Sequence, residues 1–136
     1  MEVRLYEEFA APARAVWQVV GAFHGLQAWF PGVTACDRDD GAWGEVRRAE
    51  VAGRVTPERL EHYDNARMTL AWTLVDAPLL GDHRSTLTIV PLGESRCAAD
   101  WVFHADLKPP LDAEKIEENT RRMYAAALTE VRRRVE

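Results

Sequence analysis

Five polar side chains stand where strand alternation turns residues inward: Arg47, Glu58, His62, His83 and Ser85. A guanidinium facing a carboxylate can orient one polar end of a bound molecule, or stabilise charge on a developing enolate oxygen. A desolvated carboxylate or imidazole can be tuned to move a proton near neutral pH. Burying such groups in a sealed apolar core is costly unless they are paired. Their presence among indoles and leucines therefore points to a cavity, since ligand pockets are mostly apolar with a few placed polar groups.

The phases come from the flanking apolar residues. Met68, Leu70, Trp72 and Leu74 share one face of a strand, and Thr69, Ala71 and Thr73 the other. Leu87 and Ile89 set the phase of the next strand and carry Ser85 and His83 inward. Cys97, Ala99, Trp101 and Phe103 form the inward set of the last strand, with Asp100 and His104 outward. Leu60 places Glu58 and His62 inward, and Ala49 and Val51 place Arg47 inward. Turn lengths then give a register. A two-residue turn at Ala52-Gly53 sets Arg47 opposite Glu58. A three-residue turn at Asp64-Asn65-Ala66 sets Glu58 opposite Trp72. Matching inward faces puts Ser85 beside Trp72 and Trp101, giving one row: Arg47, Glu58, Trp72, Ser85, Trp101.

The elements that must hold this row are legible along the chain. Residues 3–9 alternate as a strand. Pro12 can open a helix through Val16, Val19, Val20 and Phe23, because its missing N–H is not needed there. A second short helical turn runs through Leu26 and Trp29 to the Pro31-Gly32 stop. From Val33 to Asp106 strands alternate with turns at Gly41–Gly44, Ala52-Gly53, Asp64–Ala66 and Gly93-Glu94. The connections are too short for crossover helices, so the sheet is antiparallel. After Pro109-Pro110, Asp112 is a helix N-cap. The last helix reaches about Val135, and Ile116, Thr120, Met123, Tyr124, Ala127, Leu128, Val131 and Val135 form its buried stripe. Arg132-Arg133-Arg134 is its solvated, dipole-complementing end. The class is α+β: a curved antiparallel sheet covered on one face by a long C-terminal helix, in a single domain over residues 1–136.

Bulk composition narrows the function. Charged residues make up 29% and the net charge is −5, which argues against a nucleic-acid or anionic-membrane partner. There is no apolar signal core and no bilayer-length apolar run, so a cytoplasmic protein without membrane insertion is expected. Cys36 and Cys97 read as reduced thiols. The four histidines (His24, His62, His83, His104) are scattered and show no metal spacing, so no metal or cofactor is expected. The serines are Ser85 and Ser95 alone, outside any nucleophile motif. Trp17, Trp29 and Trp43 read as packing residues.

The stretch Ala13-Arg14-Ala15-Val16-Trp17, with Phe23, Trp29 and Pro31, resembles the opening of the START/Bet v 1-like (SRPBCC) superfamily, which includes polyketide cyclase/dehydrase-like proteins. Glu58–Asp64 and His83–Thr88 continue the likeness over essentially the whole chain. The resemblance implies a helix-grip fold: a seven-stranded sheet wrapped on a C-terminal helix, with two short helices after the first strand. It also implies a hydrophobic ligand. The middle segment is similar to the plant abscisic-acid receptor branch, where residues like Arg47, Glu58, Trp72 and His83–Ser85 line the pocket and Thr120 and Tyr124 face it. Two departures argue against that hormone: the gate loop is shortened to Val51-Ala52-Gly53-Arg54, and Ala35 replaces the lysine that meets the hormone carboxylate.

The expected site is thus Arg47, Glu58, Leu60, His62, Leu70, Trp72, His83, Ser85, Leu87, Trp101, Phe103, Thr120 and Tyr124, in a monomer or homodimer. The expected function is binding of a small hydrophobic or aromatic molecule, as carrier or sensor. Two alternatives stand beside it. One is a cyclase or dehydratase that uses Arg47 as the oxyanion stabiliser and Glu58, His62 or His83 as the proton carrier. The other is an interaction domain with a filled core.

Overall fold

A computed structural model describes every residue except Trp43. The expected packing of Trp43 and its part in the Gly41–Gly44 turn therefore lie outside the described residues. In chain order the elements are β1 (Glu2–Phe9), α1 (Ala13–Val20), a 3-10 segment (Phe23–Ala28), β2 (Val33–Arg38), β3 (Val46–Val51), β4 (Arg54–Asp64), β5 (Thr69–Leu74), β6 (Leu80–Gly93), β7 (Arg96–Leu107) and α2 (Ala113–Val135). The strands form one antiparallel sheet in the order β1-β7-β6-β5-β4-β3-β2.

Local chemistry explains the element ends. Pro12 precedes α1 in extended conformation, and Gly21 closes it by donating its N–H to the Trp17 carbonyl at 2.7 Å. The Trp17 indole donates to Asn65 Oδ1 at 2.7 Å, which pins α1 to the β4–β5 turn. Asp112 caps α2, its Oδ1 accepting from the N–H groups of Glu114 and Lys115. Helix α2 buries Thr120, Tyr124, Ala127, Leu128 and Val131. It lies along β1, with Arg121 donating to the Arg4 carbonyl and Arg132 to the Glu8 carbonyl. Arg132, Arg133 and Arg134 are all paired to nearby carboxylates at the exposed end of α2. Met123, expected in the buried stripe, is 46% exposed. At 100° per residue it falls on the flank of the arc through Thr120, Tyr124, Ala127 and Val131.

The β3–β4 turn behaves as its residues require. Ala52 and Gly53 both have positive φ, 52° and 77°, the two-residue turn that follows strand twist. Arg47 consequently stands opposite Glu58. The next hairpin differs from expectation. Its turn has four residues, Asn65–Met68, not three, and Glu61 is an extra residue in β4 between the Leu60↔Trp72 and His62↔Ala71 pairs. An extra turn residue alone would reverse every inward face, and the bulge restores the phase. Glu58 therefore faces Leu74 and not Trp72. His62, expected inward, is paired with Ala71 on the outer face and is exposed.

Trp72 does face Ser85. Ser85 faces Phe103, however, and Trp101 faces Leu87. The turn falls at Glu94-Ser95, one residue later than expected, and together with an irregularity between Pro91 and Gly93 it sets β7 one inward step away from the expected row. The inner face thus carries two staggered rows: Leu60, Trp72, Ser85, Phe103; and Leu70, Leu87, Trp101, Leu5.

Candidate functional site

Arg47 leaves β3 toward the interior and is 1% exposed. Its Nε donates to Glu58 Oε1 at 2.8 Å, and its Nη1 donates to the Phe23 carbonyl at 2.8 Å. The guanidinium carbon sits 4.3 Å from the Phe23 ring centroid and 4.6 Å from that of Trp72. The cation is thus held between two π faces, with one carboxylate and one carbonyl at its edge, an arrangement suited to a planar, weakly hydrated guanidinium. Glu58 keeps 14% of its side chain exposed.

Next to this pair stands an aromatic group centred on Trp101. Tyr124 from α2 stacks on Trp101 with ring centroids 3.7 Å apart and planes 15° from parallel. Trp29, Trp72 and Phe30 surround the same indole at 5.6, 6.0 and 6.2 Å. The Tyr124 hydroxyl lies 2.7 Å from Ser85 Oγ, and burial pushes the phenol well above its ordinary range. Trp72 links the two halves, touching Arg47 on one side and Trp101 on the other.

The structure brings together Arg47, Glu58, Trp72, Ser85, Trp101 and Tyr124. Leu70, Leu87 and Thr120 are buried in the surrounding wall, and Leu60 packs at its margin. Phe103 lies against His83 at 5.1 Å. Phe23, Trp29 and Phe30 join the group from the segment after α1; Phe23 reads from sequence as part of the apolar helical set and Trp29 as a packing residue, and Phe30 is the one not singled out. The available signal was the aromatic pair Trp29-Phe30 just before the Pro31-Gly32 stop, a concentration of ring area on a short segment that the sheet must cover.

His83 has a different part. The β5–β6 ladder ends at Trp72↔Ser85, and the His83 ring completes it: Nδ1 accepts the N–H of Leu74 at 3.0 Å. Thr73 Oγ1 of β5 donates to the His83 carbonyl of β6. The imidazole is thereby fixed as the neutral tautomer protonated on Nε2. Burial, with His104 adding like charge, lowers its pKa from 6.5 to about 4. Burial likewise raises the thiols of Cys36 and Cys97; Cys97 is a core group and Cys36 a half-buried one at its margin.

The space between sheet and helix, expected to be hollow, is crossed by touching rings. Two surface concavities of about 570 and 230 Å³ lie elsewhere; the larger opens over Arg59, Thr73, Arg84 and His104 on the outer face, and neither is lined by Arg47, Trp101 or any residue of α2. Two buried donors in the ring group, Trp29 Nε1 and Trp101 Nε1, have no hydrogen-bond partner among the described residues. Also among the described residues, no group of three or more His, Cys, Asp or Glu is placed to hold a metal ion, and no helix is long and apolar enough to cross a membrane.

Comparison with known proteins places this fold. The family described as "Polyketide cyclase / dehydrase and lipid transport" matches residues 2–136. A solved protein from Thermobifida fusca is 27% identical, with a TM-score of 0.82 over 98% of this chain and 91% of its own. A START superfamily protein from Mycobacterium smegmatis is 19% identical, with a TM-score of 0.78 over 98% of this chain and 96% of its own. The di-domain ARO/CYC BexL from the BE-7585A biosynthetic pathway is 16% identical, with a TM-score of 0.80 over 98% of this chain and 45% of its own. No curated protein matches the sequence. The fold is the helix-grip arrangement that the residues resembled.

Proposed function

This chain belongs to the polyketide cyclase / dehydrase and lipid transport family, and from that premise we propose that it binds a small hydrophobic, ring-bearing molecule between the sheet and α2. The observation that carries the reading is the composition of the inner face. Arg47, Glu58, Ser85 and Tyr124 converge on a wall of indoles that a purely structural core would build from apolar residues alone. A buried ion pair gains little over apolar residues of the same volume, so stability does not account for Arg47 and Glu58. The rings that close the space come from different elements: Tyr124 from α2, Phe30 from the segment after α1, and Trp72 and Trp101 from the sheet. A ligand enters by taking the place of Tyr124 and Phe30 against Trp101, and the apolar faces then exchange one ring contact for another.

Binding fits the polar groups better than proton transfer does. The Arg47 guanidinium is engaged by Glu58 and the Phe23 carbonyl, His83 Nδ1 by the Leu74 amide, and His62 is on the outer face. The candidates for a proton carrier in a cyclase or dehydratase are therefore held by the fold or lie away from the ring group.

The test is native mass spectrometry of gently purified protein, repeated after denaturation, with thermal-shift assays across aromatic and lipid compounds. A co-purified molecule, or a Tm rise with planar aromatic compounds, is the expected result. An empty protein that responds to no compound would establish the filled-core alternative.

A further inference from the structure

The larger surface concavity lies on the outer face of the sheet, away from the ring group, where two neighbouring strands part. The β5–β6 ladder runs from Thr69↔Thr88 to Trp72↔Ser85 and stops. At the next rung His83 meets Leu74 through its ring and not its backbone, Nδ1 accepting the Leu74 N–H at 3.0 Å. Strand β6 is irregular at the same place, between the Gly81↔Asp106 and Arg84↔His104 pairs, and Asp82 there has a φ of 48°. Thr73 and Leu74 on one side of the gap, and Asp82 and Arg84 on the other, line a concavity of about 570 Å³. That is the volume of a small-molecule site.

Basic side chains gather here in a chain whose net charge is −5. Arg59 of β4 stands beside Thr73 of β5, and Arg84 of β6 beside His104 of β7, so the four form one band across the outer face. Two carboxylates share the lining, Glu61 and Asp82. Glu61 is engaged by Arg59 at 2.8 Å, and His104 Nε2 has Asp106 at 3.8 Å. Arg84 makes no side-chain hydrogen bond or ion pair among the described residues, and its cross-strand neighbour is another basic side chain. An open guanidinium fork matches two oxygens of a phosphoryl group at once. We infer that this concavity binds a phosphomonoester, its phosphoryl oxygens gripped by Arg84 and flanked by Arg59 and His104. The volume calls for an organic body beyond the phosphoryl group, because a bare phosphate would fill only a small part of it. Asp82, the lining carboxylate with no cation among the described residues, opposes the anion and limits its affinity.

Calorimetry at fixed ionic strength tests this with phenyl phosphate and adenosine 5′-monophosphate, against phenol, adenosine and inorganic phosphate as controls. Nitrogen-edited spectra of the arginine Nε–H groups report the contact. At least one ester is expected to bind about tenfold or more tightly than its dephosphorylated control and than inorganic phosphate, and to shift the Arg84 Nε–H signal. Arg84→Gln should erase the preference for ester over control while leaving Tm unchanged, since no contact of Arg84 supports the fold. Asp82→Asn removes the opposing charge, and Asn tolerates the left-handed backbone there, so it should tighten ester binding about threefold. Esters that bind no better than their controls, or a preference that survives Arg84→Gln, would overturn the inference. Inorganic phosphate binding as tightly as the esters would overturn the organic body. Arg84 faces away from the ring group, so none of these failures touches the reading of the space between the sheet and α2.

Discussion

The hydroxyls of Ser85 and Tyr124, from the middle of the sheet and the middle of α2, lie 2.7 Å apart in a fully buried contact. It is a direct polar link between the two layers, and both partners are shut away from water. Removing one leaves the other unsatisfied, at a cost of about 1–3 kcal/mol. Tyr124→Phe and Ser85→Ala are each expected to destabilise by that amount in urea denaturation. The double variant should cost clearly less than the sum, because losing both partners leaves no orphan. Strict additivity would mean the two hydroxyls do not depend on each other.

Arg47 is held by Glu58, the Phe23 carbonyl and two ring faces. Arg47→Met keeps much of the side-chain length and removes all the donors. The expected loss is about 3 kcal/mol, because a largely buried carboxylate and a carbonyl are left without partners. Adding Glu58→Leu should recover most of it. A double variant as unstable as the single would show that the ion pair itself supports the fold.

His83 makes stability depend on pH in a definite direction. Its folded pKa is about 4 against 6.5 when free. Above 6.5 the ring is neutral in both states and contributes no pH dependence. As the pH falls from 6.5 toward 4 the unfolded chain takes up a proton that the folded chain refuses. Stability then drops by about 1.4 kcal/mol per pH unit, about 3 kcal/mol over the window. His83→Gln removes this proton, so its denaturation midpoint should change less between pH 7 and about 4 than that of the parent. Parallel curves for the two proteins would show that His83 titrates normally.

Gly21 lies beneath the Trp17 ring, and a Cβ there would stand 2.6 Å from Trp17 Cε2 and 2.7 Å from the Trp17 carbonyl oxygen. Gly21→Ala is expected to cost about 2 kcal/mol by overpacking and to shift the indole off Asn65 Oδ1. Thermal denaturation, with the Trp17 indole N–H resonance as the local reporter, checks both. An unchanged Tm together with an unmoved resonance would show that the α1 terminus adapts without strain.

Much of this arrangement was legible from residue types. Alternation in Leu70–Leu74 and Ser85–Ile89 assigned inward faces correctly because one sheet face is buried and the side-chain period is two. Asp112 announced α2, and Ala52-Gly53 set Arg47 against Glu58. Each of these rests on a few neighbouring residues whose local preferences agree. The same strength of local signal accounts for the match between the sequence reading and the family fold.

What the sequence by itself determined was therefore the element order, the antiparallel sheet, the capped final helix and the residue types of the inner wall. Only the tertiary structure decided how strands slide past one another. The bulge at Glu61 sent His62 outward, and the turn at Glu94-Ser95 with the irregularity after Pro91 paired Ser85 with Phe103 in place of Trp101. Nothing in Glu61 or Leu92 announces a bulge, because it arises when two strands, a turn and a buried face must be reconciled together. The closure of Tyr124, Phe30 and Trp29 around Trp101 likewise joins segments far apart in the chain. It leaves two indole donors without acceptors among the described residues, and packing across those distances is the physical step that periodicity along one strand or helix does not contain.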